Sequence, residues 1–226
     1  MASLELLDND AHAGLRMGPS DQATGIFVRL VMSEIAVAAA SCPLLFSKHM
    51  ETGAFYIGAL MGFRDSEILV DHPDERSAFK PMEADRAGFF AVGENIALDR
   101  EHIRFSEEKG DLLFDLHGKP TPALMVVRKS LGGLMSGNAA TEAFLADLVA
   151  HQLIEPIDIT LSFDDGERLR LEGLYTVSLD TISELDDETA LKLFRAGHLQ
   201  AAYVMAASLN HIALMARRRN ARLASA

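Results

Sequence analysis

Residues 157–177 read Ile157-Asp158-Ile159-Thr160-Leu161-Ser162-Phe163-Asp164-Asp165-Gly166-Glu167-Arg168-Leu169-Arg170-Leu171-Glu172-Gly173-Leu174-Tyr175-Thr176-Val177. Apolar Ile157, Ile159, Leu161 and Phe163 alternate with Asp158, Thr160 and Ser162, the period of a strand with one buried face. On the return, Leu169, Leu171, Tyr175 and Val177 share a face, so both arms bury odd-numbered positions. Opposed residues of an antiparallel pair share a face, so paired numbers must sum to an even value. A two- or four-residue loop would oppose Phe163 to Arg168 and break this rule. The three-residue loop Asp164-Asp165-Gly166 instead pairs Leu161 with Leu169 and Ile159 with Leu171. Such a loop wants a left-handed residue last, and Gly166 supplies it.

Upstream, short strands are split by turn chemistry. Pro43-Leu44-Leu45-Phe46 is an apolar run, Met50-Glu51-Thr52-Gly53 a turn, and 54–61 a second strand. Ser66 to Val70 suggests a third. The alanine-rich stretch 31–41 fits a short helix closed before Pro43. Residues 71–88 read as a loop with one helical turn. Phe89 to Val92 and Asn95 to Leu98 read as strands around Gly93-Glu94. Asp111 to Phe114 leads into a turn at Asp115-Leu116-His117-Gly118.

The middle is helical. Pro122 after Thr121 marks a helix start. Gly132-Gly133 suggests a bend or an end there, with Asn138 or Thr141 capping a next helix. Phe144, Leu145, Leu148 and Val149 form its apolar stripe. After the hairpin, Asp180 or Thr181 starts a short helix, and Asp186 caps another that runs toward Gly197. Leu199 to Ala216 is apolar on nearly all sides and predicts a buried helix, against the sheet or against a second subunit.

Composition bounds the function. The 226 residues carry 33 acidic and 21 basic side chains, a formal net charge of −12. That balance argues against binding nucleic acid or an anionic membrane by charge neutralisation. One cysteine, Cys42, excludes an intramolecular disulfide framework and a multi-thiolate zinc site within one chain. The N-terminus has no basic and apolar pattern of a secretory signal. The apolar stretch 26–46 is broken by Arg29, Glu34 and Pro43, which reads as core and not as a membrane span. A cytoplasmic location follows as the expectation.

Candidate chemistry is sparse. His72-Pro73-Asp74 has the His-x-Asp spacing of an iron site, with His117 and His151 as available distal imidazoles. The strand contexts of such a site are missing, so a solvated loop is preferred. Asp99-Arg100-Glu101-His102 and Asp115-Leu116-His117 gather ligand-type groups without recognised metal spacing. His49 beside Glu51 lies at a turn. Cys42, in an apolar run, reads as a small buried hydrophobe. Gly132-Gly133 with Gly137 has neither the lysine nor the strand of a phosphate loop. The terminal Arg217-Arg218-Arg219-Asn220-Ala221-Arg222 suits RNA or an acidic partner. It also suits the negative end of the last helix, the reading preferred on an acidic chain.

Three blocks carry a family resemblance. The first is Cys42-Pro43-Leu44-Leu45-Phe46, Glu51-Thr52-Gly53-Ala54-Phe55-Tyr56 and Ala59-Leu60-Met61-Gly62-Phe63. The second is Phe79-Lys80-Pro81, Arg86, Gly88-Phe89-Phe90 and Glu94-Asn95-Ile96-Ala97-Leu98-Asp99, continuing through Leu113-Phe114-Asp115 to Gly118-Lys119-Pro120-Thr121. The third runs from Leu153-Ile154-Glu155-Pro156 through Leu171-Glu172-Gly173-Leu174-Tyr175 to the final apolar helix. Over most of 42–220 the chain resembles the SapC-like protein family. It departs from the family pattern at Lys48-His49, where an acidic residue is usual, and at Ala87. The family name refers to surface-layer protein export, and no reaction or catalytic set comes with it. The resemblance implies a bacterial protein, often encoded near halogenase-like and cupin-like oxygenases and outer-membrane uptake receptors, and so an accessory role.

The resulting expectation is an α+β fold: a mainly antiparallel sheet, a central helical segment, a β-hairpin at about 157–177, and C-terminal helices. Residues 1–24 are expected to be irregular and 25–226 to form a single domain. Candidate ligand-binding residues are His72, Asp74, Arg86, Asp99, His102, Asp115 and His117, with no metal and no cofactor. The favoured function is a non-catalytic accessory or binding protein with a protein partner or small ligand, without nucleic acid or a membrane span. Self-association through 199–216 is a further expectation. An enzyme acting on a peptide or small molecule through the acidic and His loops stays open as the alternative.

Overall fold

A computed structural model describes residues 4–19, 25–64, 67–70 and 79–225. The elements run β1 (Leu4–Leu6), β2 (Arg16–Met17), β3 (Phe27–Leu30), α1 (Ile35–Ala38), β4 (Leu44–Lys48), β5 (Phe55–Leu60), α2 (Met82–Asp85), β6 (Phe89–Val92), β7 (Asn95–Asp99), β8 (Phe105–Ser106) and β9 (Asp111–Leu112). They continue with α3 (Pro122–Ala150), β10 (Ile154–Pro156), β11 (Ile159–Ser162), β12 (Arg168–Leu171), β13 (Leu174–Val177), α4 (Leu179–Ser183), α5 (Asp187–Arg195), α6 (His198–Ser208) and α7 (His211–Leu223). The class is α+β with antiparallel sheets, a central helix and C-terminal helices. The sequence drew one domain over 25–226. The chain gathers into two compact units, Met1–Thr24 with Lys80–Ser136, and Gly25–Phe79 with Gly137–Ala226.

The first unit holds two small antiparallel sheets, ordered β1-β7-β6 and β8-β2-β9. The β6–β7 hairpin pairs Val92 with Asn95 across Gly93-Glu94, as the sequence predicts. Within the expected irregular segment, the described residues 4–19 carry two strands: β1 pairs with β7, and β2 lies between β8 and β9. Strands of three and two residues are too short to show a period. The unit closes over Leu15, Met17, Phe89, Leu98, Leu113 and Phe114, with Leu124, Val127 and Leu131 from the first half of α3.

The second unit is built on a five-stranded antiparallel sheet, ordered β10-β13-β4-β5-β3. Its core joins Leu44, Phe46, Ile57 and Ala59 of the sheet to Phe144 and Leu148 of α3 and to Ala202 and Met205 of α6. The hairpin register is the one parity requires: Ile159 opposes Leu171 and Leu161 opposes Leu169. The Phe163 amide donates to the Glu167 carbonyl at 2.9 Å, which closes a loop of residues 164–166 with Gly166 at φ 86°. The regular register stops at Leu171, but the same two arms pair again beyond Glu172-Gly173 with a shift of one residue: the Ile157 amide donates to the Leu174 carbonyl at 3.1 Å, Tyr175 opposes Pro156 and Val177 opposes Ile154. After Glu172-Gly173 the chain changes sheets, and β13 pairs with β10 and β4. Tyr175 and Val177 therefore belong to the large sheet.

Three more expectations change. Helix α3 runs unbroken for 29 residues through Gly132-Gly133. A Cβ at Gly133 would collide with the Met82 sulfur, so this glycine permits close approach and not a bend. Thr141 does not cap a new helix. Its hydroxyl donates to the Gly137 carbonyl at 2.7 Å and accepts the Met32 amide at 2.8 Å. The segment 67–70 is not a strand, although Leu69 and Val70 are buried, and Ser66 lies outside the described residues.

The expected helix 199–216 is two helices, broken at Leu209-Asn210. The Ser208 hydroxyl donates to the Met205 carbonyl at 2.6 Å and accepts the Leu44 amide at 2.8 Å, tying the break to the sheet. Burial is one-sided. His198, Ala202, Met205 and Ser208 face inward while Tyr203 stays 51% exposed. By length and composition alone, His198–Leu223 would suffice to cross a membrane.

Candidate functional site

Asp99 and His102 come close to each other beside the β6–β7 hairpin, while Arg86 is engaged with Glu83, Phe89 and Phe90. The Asp99 amide donates to the Gly88 carbonyl at 2.9 Å and the His102 amide to the Asp99 carbonyl at 3.0 Å. The His102 ring packs edge-on to Phe105, with centroids 6.2 Å apart. Its Nδ1 accepts the Arg104 amide at 3.3 Å. Burial pushes the His102 pKa down, the Asp99 charge resists, and the Arg104 charge adds to the fall. The Arg86 guanidinium pairs with Glu83, donates to the Phe89 carbonyl at 3.2 Å and lies 5.7 Å from the Phe90 ring centre. These side chains are engaged in holding the loop.

Asp115 and His117 make a separate turn. Asp115 Oδ1 accepts the His117 amide at 2.8 Å and the Lys119 amide at 2.9 Å, and these bonds lower its pKa. The His117 side chain is exposed. Among the described residues, no hydrogen bond or ion pair joins this turn to Asp99 or His102. His72 and Asp74 lie outside the described residues. No group of three or more His, Cys, Asp or Glu among the described residues has a metal-holding arrangement.

The structure adds two polar clusters that sequence reading missed and gives a third, the arginine tail, partners that the sequence did not indicate. In the first unit, Arg104 is only 8% exposed. It donates to the carbonyls of Gly18 at 3.0 Å, Ala87 at 3.3 Å and Asp85. The Asp85 carboxylate in turn accepts from the Ser130 hydroxyl at 3.1 Å and lies 3.6 Å from Lys80. No periodicity marks Arg104, which sits in a loop between Ile103 and Phe105.

In the second unit, Asp147 of α3 meets His198 of α6, with Oδ2 and Nδ1 2.8 Å apart. The imidazole also stacks edge-on to Phe144 at 5.5 Å, and Lys192 lies 3.8 Å from the same carboxylate. Among the described residues Nε2 makes no hydrogen bond. Asp147 follows Phe144 by three positions on the α3 stripe, which is a signal only in hindsight.

The arginine tail forms the third cluster. Arg218 donates to the Leu69 carbonyl at 2.6 Å and Arg222 to the Ile68 carbonyl at 2.6 Å. Arg219, 3% exposed, bonds Glu167 at 2.6 Å, lies 3.8 Å from Glu67 and sits 4.2 Å from the Phe163 ring centre. Its Nε and Nη1 are buried without an acceptor. The tail thus clasps the segment 67–70 and the hairpin loop, a role neither sequence reading anticipated.

Comparison with known proteins gives one positive result. The family model described as SapC matches residues 7–215 of the chain. No curated protein and no solved structure matches.

Proposed function

The chain belongs to the SapC family, and on that premise we propose that it is a cytoplasmic bacterial accessory protein. It binds a partner protein and works with partner enzymes or an outer-membrane uptake or export system. One observation carries this reading: apolar side chains remain open on the C-terminal helices, with Tyr203 51% and Leu214 42% exposed. Large open apolar groups of this kind are typical anchors of protein interfaces. The test is affinity capture from native cells, with the captured proteins quantified for wild type and for Tyr203→Ser/Leu214→Ser. The reading expects a stoichiometric partner that the double variant loses by about tenfold, the scale of one anchor. Equal recovery by both chains would overturn it.

One observation favours the enzyme alternative. Asp147 orients the His198 ring, as a carboxylate does for a general base, and leaves Nε2 unbonded. Turnover of ester or peptide substrates by the purified chain, abolished in His198→Gln without loss of fold, would support this second reading over the first.

A further inference from the structure

Helix α5 carries a row of side chains that its own unit leaves open. Leu193 is fully buried, while Leu191 and Phe194 are 47% and 68% exposed. At 3.6 residues per turn, positions four apart stack along one side of a helix. Asp187, Leu191 and Arg195 form such a row, reading acid, apolar, base along the nine residues. Neither Asp187 nor Arg195 has an ion-pair partner among the described residues. An acid at the first turn and a base at the last each suit the helix dipole. The dipole gives no reason for two large apolar groups open to water between them.

We propose that a second copy of this chain docks on the row, antiparallel, with Leu191 at a two-fold axis. A two-fold interface must be complementary to itself. Position 187 lies four residues before 191 and position 195 four residues after it. Antiparallel copies centred on 191 therefore set Asp187 level with the partner's Arg195, and Arg195 level with the partner's Asp187. A parallel pairing sets acid on acid and base on base. The charges choose the direction, and burial of Leu191 and Phe194 supplies the attraction. The row is two turns long, so the contact is at the small end of specific interfaces and the association is weak. This places self-association on α5 and not on 199–216, and it is independent of the accessory reading, which rests on Tyr203 and Leu214.

The test uses the full chain in sedimentation equilibrium and native mass spectrometry. Wild type is expected to show a monomer–dimer equilibrium at about 100 µM or below, the weak end of specific association. Asp187→Arg and Arg195→Asp are each expected to weaken it by about tenfold or more. The Asp187→Arg chain is basic at both positions and the Arg195→Asp chain acidic at both. An equal mixture of the two, one isotopically labelled, is expected to form the mixed dimer in preference to either homodimer. Leu191→Asp, which brings two carboxylates together at the axis, is expected to leave monomer only. Unchanged circular dichroism confirms that each variant folds. A wild type that stays monomeric, single variants that dimerise like wild type, or a mixture with no preference for the mixed dimer would each overturn the proposal.

Discussion

Among the described residues each unit buries one arginine near its core, and the two have different partners. Arg104 points its guanidinium at backbone carbonyls of Gly18, Asp85 and Ala87. Arg219 meets carboxylates, Glu167 closely and Glu67 at 3.8 Å, and leaves two donors unmatched. Carbonyls cannot move away or find water if the arginine is lost, because the backbone that carries them is fixed by the fold. Glu167 can, because it keeps a second cation, Arg64, at 2.5 Å. The difference teaches that burial alone does not rank the two residues. What is left behind when each is removed does.

The largest effect is therefore expected at Arg104. Arg104→Met retains the apolar stem and strands three carbonyl oxygens, two of them at the C-terminal end of α2. Each unsatisfied buried acceptor costs about 1–3 kcal/mol, with partial relief from relaxation, so a loss of roughly 3 kcal/mol is expected in urea unfolding. Arg219→Met should cost far less, about 1 kcal/mol, despite the lower exposure. The methionine still packs on Phe163, two orphan donors disappear, and Glu167 falls back on Arg64. The comparison breaks if Arg219→Met proves the more destabilising of the two.

Arg64→Gln sharpens the same point. The Arg64 side chain is mostly exposed, and its charge is supported by Glu167 in open solvent. In the wild-type background its removal is expected to lie within the error of urea unfolding. In the Arg219→Met background, where Glu167 has no other cation among the described residues, the same change should become measurable. A double-mutant cycle with no coupling between positions 64 and 219 would show that Glu167 does not mediate between them.

The two arginines also mark the limit of what the sequence could show. The hairpin loop was legible because strand parity leaves one loop length for Leu161 and Leu169 to oppose each other. The strands at Leu44–Lys48 and Phe55–Leu60 were legible because turn residues bound them. The one-residue slip at Glu172-Gly173 was not, since Tyr175 and Val177 keep the alternation of the hairpin while opposing Pro156 and Ile154, where parity no longer holds. The break at Leu209-Asn210 was hidden because Ser208 acts through a hydroxyl bond to the distant Leu44 amide. Asp99 and His102 were legible as neighbours because three positions along one turn keep them close. Asp147 and His198, 51 positions apart, and Arg104 with Gly18, 86 apart, are tertiary pairs that no local pattern records. The tail arginines were read from charge alone, which cannot tell a dipole complement from a clasp on Ile68 and Leu69.

The smallest effect tests the ring that receives the Arg104 amide. Burial lowers the His102 pKa below its ordinary 6.5, with the neighbouring Arg104 charge acting in the same direction. A base whose folded pKa is depressed binds its proton more readily in the unfolded chain. Its contribution to stability is present above about pH 6.5 and fades as pH falls through that value toward the folded pKa. His102→Asn keeps an acceptor for the amide two residues on and removes the titration. The wild-type melting temperature should therefore fall more between pH 7.5 and pH 5.5 than that of His102→Asn, a modest difference because the ring is only partly buried. Equal slopes would mean that His102 takes up its proton in the folded loop without penalty.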